Sequence, residues 1–156
     1  MKTKSILTNG VVLLMGSDSG LQHRMRAALE ADSFQVFLAA GHKETLELFD
    51  ASSIDILLIE PDCEPESLCR LVAQLKTRCP RLRIIGILRE QNEAAKAHVD
   101  GVNVWMEKPL SIKRLAATVN DLLAEIRAEI FRNELLLRQT TRFASSAPYV
   151  RWGLNE

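Results

Sequence analysis

The sequence predicts an α/β fold: a doubly wound, five-stranded parallel sheet covered by helices on both faces, with an extended C-terminal helix. Three observations point to it. Short apolar runs alternate with segments whose apolar residues recur at spacings of three and four. The connections between them are short. The 156 residues, 47% hydrophobic and 26% charged, supply one core of ordinary size.

Val11-Val12-Leu13-Leu14-Met15 is a continuous aliphatic run closed by Gly16, the pattern of a strand buried on both faces. Leu21, Met25, Ala28 and Leu29 then recur at helical spacing between polar residues, and the helix ends near Ser33. Phe34 to Ala40 reads as a second strand, and Lys43 to Asp50 as a helix with Leu46 and Phe49 inward. Ile54 to Ile59 is a third strand. Glu66 to Thr77 is a third helix, carrying Leu68, Leu71, Val72 and Leu75 and closed by Cys79-Pro80. Ile84 to Leu88 is a fourth strand, followed by a weak polar helix through Gln91 to His98. Asn103 to Met106 is a fifth strand, after which Ser111 caps a long helix beginning near Ile112.

Composition narrows the function classes. Lys plus Arg and Asp plus Glu stand at 20 each, so bulk charge draws the chain neither to nucleic acid nor to an anionic membrane. Lys2 and Lys4 precede apolar residues, but Thr8, Asn9 and Gly10 interrupt the run, and no segment has the length of a membrane span. Cys63, Cys69 and Cys79 lack a C-x-x-C spacing and read as reduced thiols of a cytoplasmic protein. His23, His42 and His98 fall on separate elements, which suggests neither a metal cluster nor a catalytic base.

In a sheet of this kind the functional crevice lies beyond the carboxyl ends of the strands. The residues there are Gly16-Ser17-Asp18, Glu60-Pro61-Asp62, Leu88-Arg89 and Glu107-Lys108-Pro109. The stretches VVLLMGSDSGLQHRMRAALEADSFQVFLAAGHKETLELF, IDILLIEPD and GVNVWMEKPLSIKRL resemble the receiver domain of two-component response regulators, over roughly Val11 to Ile126. The Lys-Pro turn is the most specific piece. The resemblance implies a flavodoxin-like (CheY-like) fold and a role in signalling rather than catalysis.

Carried over residue by residue, the resemblance implies a degenerate site. Glu60 stands where the family has its phosphoacceptor aspartate. Gly16 and Ser17 stand in place of the acidic pair that holds Mg2+, and Leu88 in place of a hydroxyl residue. Lys108 and Pro109 are retained, and Trp105 replaces the family's switching aromatic. Mg2+ prefers an octahedral oxygen cage that includes carboxylates, which glycine and serine do not supply. The extra methylene of glutamate displaces the attacking oxygen by about 1 Å, which spoils in-line transfer. The expectation is no phosphorylation, no catalytic residue, no cofactor and no built metal site. Asp18, Glu60 and Asp62 are weak candidates for a residual divalent site.

Two readings of Glu60 stand: a fixed negative charge that mimics activation through Lys108, or a carboxylate that merely satisfies Lys108. Trp105 reads as a packing or partner-facing residue rather than a moving switch. A rival function comes from Gly16-Ser17-Asp18-Ser19-Gly20, which resembles the phosphate loop of flavodoxins and would bind FMN or another phosphate ligand.

Three segments are expected: an N-terminal extension over 1–10, the receiver-like domain over 11–126, and a helical extension with tail over 127–156. The last helix is expected to run to about Thr140, because Leu135, Leu136 and Leu137 follow Ile130 without a break. Trp105 and the stripe Leu115, Val119, Leu122, Ile126 and Ile130 are expected to form the interface of a homodimer, together with helix 91–98 and the fifth strand. Arg127, Glu129, Arg132 and Glu134 would pair at its rim. Folding of the tail back onto the domain is the other way to cover that stripe. The partner is expected to be a protein, not nucleic acid or a membrane.

Overall fold

A computed structural model describes residues 9–61, 65–88 and 99–146. The expectations for Asp62, Cys63, Arg89, helix 91–98 and the segment beyond Ser146 fall outside the described residues.

The strands are β1 (Gly10–Met15), β2 (Phe34–Ala39), β3 (Ile56–Ile59), β4 (Arg83–Leu88) and β5 (Val104–Glu107). The helices are α1 (Ser19–Ala31), α2 (His42–Ala51), α3 (Pro65–Arg78) and α4 (Ile112–Ser146). The sheet has five strands in the order β2-β1-β3-β4-β5, every neighbouring pair parallel. β1 therefore has β2 on one side and β3 on the other. The order reverses there, and a crevice opens above the ends of β1 and β3.

Alternation along the strands builds two cores from one continuous apolar run. Val12, Leu14, Ile56, Leu58, Ile85 and Ile87 face α1 and α4, where they meet Leu21, Met25, Leu29, Leu115 and Val119. Leu13, Met15, Leu57, Ile59 and Ile84 face the other way, against Leu68, Leu71, Val72 and Leu75 of α3. Both faces of the sheet are sealed.

Side-chain hydrogen bonds trim two expected strands. Asp55 turns its carboxylate to the backbone N–H of Val11 (2.8 Å), so β3 begins at Ile56 rather than Ile54. Asn103 Oδ1 accepts from the N–H of Ile84 (2.8 Å), so β5 begins one residue later than expected. Ser111 caps α4 as expected, its hydroxyl accepting from the N–H of Arg114 at 3.2 Å.

The 35-residue α4 crosses the expected boundary at 126 without a break and continues past Thr140 to Ser146. The interface expectation needs correction. Leu115, Val119, Leu122 and Ile126 are buried in the chain's own core, because this stripe is what packs the helix onto the sheet. Arg83 fastens the helix where it leaves the domain, reaching Glu129 at 2.9 Å and Glu125 at 3.6 Å, while Arg127 donates to the carbonyl of Asn9 at 2.6 Å. Glu129 is thus already committed within the chain rather than to an intermolecular rim. Beyond that point Phe131, Leu136 and Leu137 are 63%, 60% and 66% exposed, with Ile130 and Leu135 less so. No helix among the described residues is long and apolar enough to cross a membrane.

Candidate functional site at the carboxyl ends of the strands

Parallel register sets the site. Met15 lies beside Ile59, and the N–H of Glu60 donates to the carbonyl of Met15 at 2.8 Å, so Gly16 and Glu60 leave the sheet side by side. Leu88 ends β4, and its carbonyl accepts from the N–H of Lys108 at 2.9 Å, which brings the Lys108-Pro109 turn over the same crevice. The peptide bond between Lys108 and Pro109 is cis.

Glu60 is 5% exposed, and its carboxylate points inward rather than to water. Oε2 accepts a hydrogen bond from the ammonium of Lys108. Oε1 is buried and has no hydrogen-bond partner among the described residues. The room for this longer side chain comes from Gly16: a Cβ there would stand 2.9 Å from Glu60 Oε1 and 3.0 Å from Glu60 Cβ. Glutamate at one strand end and glycine at its neighbour are two halves of one steric fit. The backbone of Gly16 is held in turn, its carbonyl accepting from Gln22 Nε2 at 2.9 Å.

Asp18 is brought to the crevice, but as a cap. Its Oδ1 accepts from the N–H of Leu21 at 3.0 Å at the start of α1, and its Oδ2 lies 3.4 Å from Lys108 Nζ. The Leu21 N–H holds its carboxyl below the usual aspartate range, burial opposes this, and Lys108 adds to the lowering. This use of the helix start also weakens the phosphate-loop reading, because the carboxylate sits where a phosphate would dock.

Lys108 is thus bracketed by two carboxylates, Asp18 and Glu60. Such a set does not fit a divalent cation. Gly16 offers no side-chain oxygen, Glu60 fills the space above it, and an ammonium already stands between the available carboxylates. Asp62 lies outside the described residues, and among those described no group of three or more potential metal ligands occurs.

Leu88 is 2% exposed, so an apolar side chain is buried where the resemblance places a hydroxyl. Trp105 lies opposite Gly86 in the β4–β5 register, and its indole covers that glycine so closely that a Cβ there would stand 2.2 Å from Cζ3. It is half-buried against the α3 face of the sheet. Sequence reasoning missed Gly86 and Gln22. A lone glycine inside an apolar strand was the available signal for the first, since it often marks a close approach. Elsewhere, a groove of about 460 Å³ lies at the opposite, amino end of the sheet, lined in part by Phe49, Ile54, Pro80 and Ile130.

No protein-family model matches the sequence, and no curated protein sequence matches it. Solved structures do. A CheY-like response regulator receiver domain protein from Methanospirillum hungatei superposes with a TM-score of 0.68 at 19% identity, covering 77% of this chain and 98% of that one. The signal receiver domain of an HD domain-containing protein from Pseudomonas fluorescens gives 0.69 at 18% identity, covering 79% and 93%. A structure of adenylate cyclase from Rhodopirellula baltica gives 0.71 at 18% identity, covering 82% and 97%. Together with the five-stranded parallel order, these matches establish that the chain has the receiver (CheY-like) fold of response regulators.

Proposed function

We propose that this chain is a pseudo-receiver: a non-enzymatic signalling domain that is not phosphorylated and acts through protein–protein contacts in a cytoplasmic regulatory system of bacterial type. One observation carries the reading. The carboxylate of Glu60 fills the space above Gly16 and binds Lys108, so the cation that would pair with a phosphoryl group is already neutralised from within. The buried Leu88 removes the hydroxyl that would sense such a group. Of the two readings of Glu60, the satisfied ion pair is favoured over a mimic of activation, because the relay from the crevice to Trp105 lacks its polar link. Trp105 is held as packing by its seat on Gly86.

The test is incubation of the full chain with a small acyl phosphate and Mg2+, followed by intact-mass measurement. The reading expects no added phosphoryl group. A phosphoryl adduct that disappears in Glu60→Gln would overturn it.

A further inference from the structure

We infer that the solvent face of α4 pairs with the same face of a second copy in antiparallel orientation, centred between Glu129 and Ile130. This goes beyond the chemistry proposed for the crevice and stands or falls separately from it. The surface is distinct from the stripe that binds α4 to the sheet. Asp121, Ala124, Ala128, Phe131, Leu135 and Arg138 are all exposed, and they follow one another at intervals of three and four, a heptad seam along one side of the helix. Its first half, Asp121, Ala124 and Ala128, is exposed, and its second half carries Phe131 at 63% exposure.

Charge decides the occupant and the direction. In the antiparallel register, small residues meet large ones: Ala128 faces Phe131 of the second copy, and Ala124 faces Leu135. Asp121 faces Arg138. On the flanks, Glu125 comes level with Arg132 of the second copy, and Arg127 with Glu134. Two-fold symmetry makes each of these pairs twice. A parallel pairing of the same seam would stack Asp121 on Asp121 and Arg138 on Arg138, and would set Arg127 beside Arg132. The seam's charged pairs and the Arg127–Arg132 contact thus become like-charge contacts in the parallel direction, while Glu125 and Glu134 lose their partners to Asn120 and Gln139. Glu125 and Arg127 also fasten the base of the helix, through Arg83 and Asn9, yet both remain exposed and reachable. Leu136 and Leu137 lie outside the seam and are not used.

The experiment is sedimentation of the full chain, wild type and variants, at tens of micromolar. The wild type is expected to be a dimer and Phe131→Glu/Leu135→Glu a monomer that stays folded, since both positions face water. Asp121→Arg and Arg138→Asp should each weaken association by about tenfold, and the two together should restore it. A spin label at Ala117→Cys, with the native cysteines changed to serine, should report about 38 Å between copies in the antiparallel pair, against about 10 Å in a parallel one. A monomeric wild type, a dimer that survives the Phe131 and Leu135 substitutions, a charge swap that fails to restore it, or the short label distance would each overturn the proposal.

Discussion

At the carboxyl ends of the strands, Lys108 is held between Asp18 and Glu60, the space above Gly16 is filled, and the cap of α1 is made by the chain's own carboxylate. At the far end of the molecule α4 leaves the sheet and carries Phe131, Leu136 and Leu137 into water. The first region is where a receiver fold ordinarily meets a ligand, and here the chain's own side chains fill it. The second is where a domain ordinarily ends, and here it presents unsatisfied apolar surface. On the function proposed above, substitutions in the two regions should have opposite signatures. Changes in the crevice should alter stability, whereas changes on distal α4 should alter association.

The largest effect is expected at Lys108. In Lys108→Met, Glu60 keeps a buried carboxylate with no counter-charge on Oε2 and no partner on Oε1, which should cost about 3–5 kcal/mol in urea unfolding. Glu60→Leu/Lys108→Met should recover most of that loss. An unchanged midpoint in the single variant would mean that the crevice is not internally closed.

The contrast can be sharpened within one helix. Leu122→Ala removes a side chain that is 4% exposed and should cost about 3 kcal/mol; Leu136→Ala, on the same helix, should shift stability by less than about 0.5 kcal/mol. Equal losses would show that distal α4 is already covered in the folded monomer.

Gly16→Ala tests the steric fit directly. A methyl group 2.9 Å from Glu60 Oε1 must push that carboxylate away from Lys108, with a loss of about 1–2 kcal/mol. No loss would mean that Glu60 has room to spare.

The smallest effect is a pH dependence. Asp18 is held below its ordinary range first by the Leu21 N–H, and Glu129 first by its hydrogen bond from Arg83. For a carboxyl lowered in the folded state, the stabilisation is present above the unfolded value and is lost as pH falls through the folded one. Stability should therefore decline below about pH 4, and Asp18→Asn/Glu129→Gln should flatten that decline.

The sequence revealed the five strands because each is a short, largely apolar run, and the Lys-Pro turn located the crevice among them. Glu60, Leu88 and Lys108 could be read there one residue at a time. The fit between Gly16 and Glu60 could not, because it joins residues 44 positions apart through the β1–β3 register, which periodicity does not encode. The same holds for Trp105 and Gly86. The interface expectation failed for a related reason: the apolar spacing from Leu115 to Ile130 runs on unchanged, and only the extent of the sheet decides that its first part is covered and its last part bare. Local pattern shows that a helix has an apolar side; tertiary structure shows what lies against it.

The central claim, that the chain's own ion pair has taken the place of the metal and phosphoryl chemistry, is tested most directly by following the backbone amides of Gly16, Asp18, Glu60 and Lys108 by NMR during a Mg2+ titration. The account predicts no saturable shift at these amides into the tens of millimolar, beyond the gradual drift that ionic strength imposes on exposed groups. A saturable shift centred on Gly16 and Glu60, with a matching change at Lys108, would mean that the cation displaces the ammonium, and would contradict the claim.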